Sequence, residues 1–446
     1  MGIRLLFNKL GFFGAELSDD NYELSRRRFI IEGCLSNGIF TLTSGAFIVG
    51  YAKYLGASDQ FNGIIVALPL LTYILQMFSP LFLEKLNSRK KVVLVTCIFY
   101  RTLLGLMILI PFITHNKSAR LLMLAVMYFV AYLVFSFSNP AGGSWIISLV
   151  PAKMRGRYFG LRDMCILGSA AVLSLLMGRI LDTFKSNSLE LAGFVAVFSV
   201  TFLLVVLNGI VLSRIKEPEI VRMKQSLNLK SMLTMPLKNK PFRKVVLLNI
   251  IWNLTAQLAL PFFSVYMVTG LKLSYTFIMV MGILLSFVQA FSAKIWGRLS
   301  EKVGWEFTTV TSIAMIGTAH ILWIFVNKNT CYFIIPFIQI LAGMAWAGVN
   351  LSFFNIQFKY APQEGRTVFV GFNAAVAGAA GFLSALLGAS LVGALSGVKM
   401  DIGITVLDNM LFIFGVSGVL ILCCSIFASR LFRVKRGATA GDRDLE

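Results

Sequence analysis

Residues 191–213, LAGFVAVFSVTFLLVVLNGIVLS, run for 23 positions without one charged side chain. At a 1.5 Å rise per residue, a helix of that length crosses the roughly 30 Å apolar core of a bilayer. Working outward, the same reading gives five such stretches before it (29–53, 60–83, 92–114, 120–148 and 158–183) and six after it (244–268, 274–298, 307–327, 331–358, 367–395 and 407–431). Pro140 and the Gly142-Gly143 pair interrupt the pattern near the end of the fourth. Composition agrees: 57% of residues are hydrophobic and 14% charged, against about 45–50% and about 25% in soluble proteins. A compact soluble domain must still present a polar exterior. Most of this chain is therefore expected to lie in lipid, as an all-α membrane protein.

The net charge of +21 is not evidence for nucleic acid, because the basic residues form no contiguous soluble domain and lie between apolar spans. Thirty-one lysines and arginines fall on one side of the twelve spans, and seven (Lys53, Lys117, Arg120, Lys185, Lys272, Lys328, Lys399) on the other. By the positive-inside rule this predicts cytoplasmic termini and a cytoplasmic central loop, in a plasma (inner) membrane. Residues 1–28 are polar and do not read as a cleavable signal peptide, so the first span is expected to act as its own insertion signal. Six cysteines in or beside apolar stretches show neither metal-ligand spacing nor a disulfide framework, and no cofactor is implied.

The two halves superpose in sequence. Pro151, Arg155 and Gly160 match Pro362, Arg366 and Gly371 at a separation of 211 residues, and Asn139 matches Asn350 at the same separation. Glu84-Lys85 matches Glu301-Lys302 at 217, while Leu55 and Ser58 match Leu271 and Ser274 at 216. This predicts twelve transmembrane helices in two pseudo-symmetric six-helix bundles. The divisions read as an N-terminal segment 1–28, bundles 29–213 and 244–431, a basic linker 214–243 and a tail 432–446. Parallel repeats of this kind place a substrate site between the halves.

With its 6+6 layout, long basic central loop and recurring loop motif, the chain resembles the major facilitator superfamily over essentially its whole length. That family's loop pattern is roughly G-x-L-x-D-R-x-G-R-K. Here the first copy lies in Ser79–Lys91, with Glu84 in place of the aspartate, and the second is Gly297-Arg298-Leu299-Ser300-Glu301-Lys302-Val303-Gly304. Arg155–Gly160 is similar to the family's turn into span five. The resemblance implies that Glu84, Arg89, Gly297, Arg298, Glu301 and Gly304 act in gating; topology charge with a tight turn is the alternative. It further implies that spans one, four, seven and ten line a central cavity. Span five lacks the proline of the family's proton-linked drug exporters, which weighs against drug:proton antiport.

Polar side chains within spans should face a cavity or a partner, because lipid cannot satisfy them. The substrate-binding candidates are Asn37 and Thr41, Ser138 and Asn139, Asn249, Asn253 and Gln257, and Trp346 and Asn350. Asn249, Asn253 and Gln257 recur every four residues and share one helix face, as either a cavity wall or interhelical glue. Glu32 is the coupling candidate, with a plain ion pair as its alternative. Arg101 needs a partner, either Glu32 or Asp163, and Arg179 and Asp182 read as a local i,i+3 pair. No P-loop, HExxH or clustered nucleophile and base appears, so the chain is not expected to be an enzyme. The resulting expectation is a monomeric secondary active transporter of a small organic solute. It would be proton-coupled and work by alternating access, with export of an amphipathic compound favoured over proton-coupled import of a polar nutrient. A non-transporting receptor on the same fold is a separate alternative.

Overall fold

The computed structural model describes residues 22–76, 78, 88–218, 229–362, 366–401 and 406–432. Glu84 and the rest of the first loop motif up to residue 87 lie outside the described residues. The chain forms α1 (Glu23–Leu42), α2 (Gly45–Tyr54), α3 (Asp59–Gln76), α4 (Arg89–Leu106), α5 (Ile110–Ile113), α6 (Lys117–Leu149), α7 (Arg155–Ser186) and α8 (Glu190–Ser213). After the linker come α9 (Leu229–Lys238), α10 (Lys240–Ala256), α11 (Leu260–Val265), α12 (Tyr275–Val303), α13 (Trp305–Leu322), α14 (Cys331–Tyr360), α15 (Arg366–Ala394) and α16 (Asn409–Leu431). A two-residue antiparallel ladder, β1 (Met400–Asp401) with β2 (Val406–Leu407), precedes α16. Eleven helical segments among the described residues are long and apolar enough to cross a membrane. The second span expected from the sequence corresponds to α3, described as far as Gln76. Within the continuous stretches of such segments the backbone polar groups pair along the helix, which is what lipid requires.

The observed helices begin and end within a few residues of the apolar runs, with three instructive differences. Pro140 does not break its helix: α6 continues through it to Leu149. The first span, expected to be continuous, breaks at Thr43-Ser44, where Gly45 adopts φ +54°, a left-handed conformation open to glycine at little cost. The seventh span breaks at Gln257–Ala259 and resumes with Pro261 in the first turn of α11, where a missing N–H costs nothing. The two breaks fall at corresponding places in the two halves. The duplication also shows in the caps: Ser58 Oγ accepts from the Phe61 N–H and Ser274 Oγ from the Phe277 N–H, both at 3.2 Å.

The halves meet most tightly at the end that carries Lys53, Lys185 and Lys272, the far end relative to the basic one. There Phe47 stacks on Tyr275 with ring centroids 6.2 Å apart, and a methyl added at Gly50 would lie 1.9 Å from the Tyr275 hydroxyl. Toward the basic end α7 and α12 diverge, and a Cβ at Gly160, Gly168 or Gly282 would meet nothing within 4 Å. On the opposite flank α3 stays against α15, where a Cβ on Gly378 would fall 2.6 Å from the Leu70 carbonyl. Gly50→Val should therefore hold the far seam apart. Faster labelling of a cysteine placed at Phe47, by an impermeant reagent added from that end, checks this; unchanged labelling contradicts it.

Candidate functional site

Two confluent cavities of about 660 Å³ and 950 Å³ lie between the halves and share Asn37, Phe40, Gly45 and Leu260. Both broken helices contribute: Ser44 and Gly45 from the first break, Gln257, Leu260 and Pro261 from the second. Helix interruptions expose backbone groups that a continuous helix would consume, which suits them to ligand sites in membranes. The smaller cavity is walled by tyrosines from three helices, Tyr73, Tyr100, Tyr128 and Tyr132, together with Phe40 and Phe135. Among the described residues Arg162 is the one charged side chain lining it. The larger cavity runs between α7 and α12 and includes Asp163, Ser286, His320, Gln339 and Trp346. His320 shares a hydrogen bond of 3.1 Å with Ser417, across its Nδ1 and the serine Oγ.

Directly behind the smaller cavity lies a buried polar knot. Glu32 on α1 is 8% exposed and Arg101 on α4 is 3% exposed. An Arg101 Nη2 donates to Glu32 Oε1 at 3.2 Å and to Ser36 Oγ at 2.5 Å, while its Nε donates to Tyr100 Oη at 2.9 Å. The other terminal nitrogen donates to Asn208 Oδ1 on α8. Asn208 in turn donates through Nδ2 to the Glu32 carbonyl at 3.1 Å. Arg162 approaches the second carboxylate oxygen of Glu32 at 3.9 Å. Of the two partners expected for Arg101, Glu32 is the one present; Asp163 is exposed and lies 3.9 Å from Arg162 instead.

The remaining candidates are dispersed. Asn37, Thr41, Gln257 and Trp346 line the cavities. Asn253 instead donates to the carbonyl and side-chain oxygens of Asn249, at 2.8 and 2.9 Å, and lies with Gln257 against α15 at Gly381. Ser138 is buried with its hydroxyl on the Phe135 carbonyl. Asn139 and Asn350, though matched in the repeat, are exposed and line neither cavity. Gly304 takes φ +92° in the turn between α12 and α13, and a Cβ on the helical Gly297 would come no nearer than 4.0 Å to Leu351. Arg298 and Glu301 lie in the last turns of α12. Two carboxylates that motif reading missed sit at the same end. Glu306 takes the Lys359 ammonium at 2.5 Å and the Tyr360 hydroxyl at 3.1 Å. Glu217 accepts from the backbone N–H groups of Arg89 and Lys90 and from the Ser88 hydroxyl, so its negative charge sits at the N-terminus of α4.

The expected Arg179–Asp182 pair does not form. Asp182 reaches across to the other half, where its carboxylate accepts from the N–H groups of Tyr275 and Thr276, each at 2.8 Å, and from the Thr276 hydroxyl at 2.6 Å. Unsatisfied N–H donors at a helix start attract an anion more strongly than a neighbouring guanidinium in water does. The pseudo-equivalent contact on the other flank is uncharged, Gln60 against Gly393.

A cavity between two helix bundles, closed at one end and walled by broken helices, defines a membrane carrier. The chain belongs to the Major Facilitator Superfamily, whose model matches residues 30–385, and it is a multi-pass integral membrane transporter rather than an enzyme. Among solved structures it is similar to the nucleoside transporter NupG, at TM-score 0.66 and 11% identity over 92% of this chain and 100% of that one. It is also similar to a D-xylose-proton symporter, at TM-score 0.69 and 11% identity over 93% and 99% of the two chains. A third likeness is to a bacterial homologue of the human lysosomal transporter Spinster, inward-facing and occupied, at TM-score 0.67 and 15% identity over 94% and 98%. No curated protein matches the chain by sequence.

Arg101→Met should cost about 3–5 kcal/mol by stranding Glu32 and Asn208, read as a large fall in the thermal unfolding midpoint of the detergent-solubilised chain; a change of a degree or two would contradict it. Asp182→Ala removes a helix cap worth about 1 kcal/mol. It should make a cysteine at Met267 on the cavity wall several-fold more reactive to reagent supplied from the far end.

Proposed function

We propose that this transporter carries a small amphipathic organic solute through the central cavity by alternating access, and that Glu32 couples the movement to protons. The observation that carries this reading is the placement of Glu32 directly behind the cavity wall, in a knot that ties α1 to α4 and α8. A carboxylate that gains or loses a proton there changes the charge balance of three helices at once. The mixture of rings, amides and hydroxyls on the wall supports an amphipathic solute. By the positive-inside rule the basic end, toward which the cavity widens, is the cytoplasm, and both termini lie there. The transporter works as a monomer in the plasma (inner) membrane.

The sequence leans toward export. One observation favours the second reading, uptake together with protons: the smaller cavity presents a guanidinium to its interior, and the carboxylate behind it is already claimed by Arg101. An exporter that exchanges protons for organic cations would need a free acid there. Flux of a candidate solute into proteoliposomes, with pH and electrical gradients imposed separately, decides the matter. The wild type should be driven by the pH gradient, and Glu32→Gln should abolish that drive while leaving solute exchange intact. Flux indifferent to pH and to Glu32→Gln rules proton coupling out.

A further inference from the structure

Arg162 follows the basic residues Lys153, Arg155 and Arg157, and it lies two turns inside α7. Its side chain is 22% exposed and its Nε is buried without a partner. Its two ion pairs among the described residues, to Glu32 and Asp163, are both at 3.9 Å, longer than hydrogen bonds. Arg101, by contrast, has all three nitrogens engaged. A guanidinium offers five donors in a planar fork suited to a carboxylate, so Arg162 has capacity that none of its described neighbours uses. The site is also shaped for it. A methyl at position 33 would lie 2.9 Å from an Arg162 Nη and 2.6 Å from Ile166 Cδ1, so Gly33 leaves the space across α1 in which the guanidinium lies.

We infer that Arg162 is an anion subsite, and that the transported solute carries a carboxylate or equivalent acidic group on an aromatic or apolar body. The acid engages Arg162, and the body lies among Tyr73, Tyr100, Tyr128, Tyr132 and Phe40 of the same cavity. Arg101, Arg162 and Glu32 together carry one excess positive charge, which an entering anion neutralises. Glu32 competes for the same guanidinium only through its second carboxylate oxygen, 3.9 Å away, which leaves the donors of Arg162 open to an anion that approaches within hydrogen-bond distance.

This subsite rests on the transport reading, and the experiment separates the two. The purified full-length chain in nanodiscs is titrated with 3-phenylpropanoate and indole-3-acetate, and with the primary amide of each, at about pH 7, where both acids are ionised. The carboxylates should bind at least about tenfold more tightly than the amides. Arg162→Gln should remove the preference, and Arg162→Lys should restore part of it. Should Arg162→Gln fail to fold, the acid–amide difference in the wild type still decides the question. Equal binding of acid and amide, or no binding by either acid, overturns the subsite. If the carboxylates bind through Arg162 but do not cross proteoliposomes, the transport reading falls and the subsite stands. If a neutral solute is carried with Glu32-dependent coupling and the acids do not bind, the reverse holds.

Discussion

An arginine in the middle of an apolar bundle is the constraint from which the N-terminal half is arranged. Arg101 cannot be deprotonated at any physiological pH and cannot reach water, so the protein brings it a carboxyl group, an amide, a hydroxyl and a phenol. Those partners come from α1, α4 and α8, and their positions are thereby tied together. Removing any single member leaves the others buried and unsatisfied, which is costlier than the net value of the pair. Such a knot adds little to stability compared with well-packed apolar side chains. Its effect is to hold three helices in one register beside a cavity.

The knot also decides what the cavity wall presents. Because Arg101 occupies one oxygen of Glu32 closely, the second oxygen is left to a looser approach by Arg162. The tyrosines around it add ring surface, with the Tyr100 hydroxyl taken by Arg101 and those of Tyr128 and Tyr132 bonded to each other at 3.4 Å. The C-terminal half supplies fewer charges to the wall, and its contribution is the break at Gln257–Ala259 and the aromatic set around Trp346 and His320. The wall is thus lopsided: charge from one half, rings and amides from both.

Sequence and structure agree wherever the cause is local. Runs of twenty or more apolar residues can only be spans, and the repeat was legible because Ser58 and Ser274 cap equivalent helices for the same reason. The Glu32–Arg101 pair was within reach as well, since a buried charge demands a counter-charge and few were on offer. What stayed hidden depends on the third dimension. Asp182 has a plausible partner three residues away and a better one 94 residues away, and no spacing rule reports that. Arg162 follows Lys153, Arg155 and Arg157 so closely that its charge counts with theirs toward topology, and nothing in the sequence shows that it faces a cavity. The break at Thr43-Ser44 is signalled by Gly45, which in sequence is indistinguishable from Gly38 and Gly50, the glycines of the same span that serve close packing.

The two flanks of the far seam resist separation by different physics. Between α7 and α12 the resistance is three hydrogen bonds to one carboxylate. These are strong while dry, and they lose most of their strength once the first water molecules compete for the acceptor. Between α3 and α15 it is close apolar and amide contact, which weakens gradually as the surfaces part. A force that parts the two halves at this end would thus meet a single desolvated anion on one flank and dispersed, uncharged contact on the other.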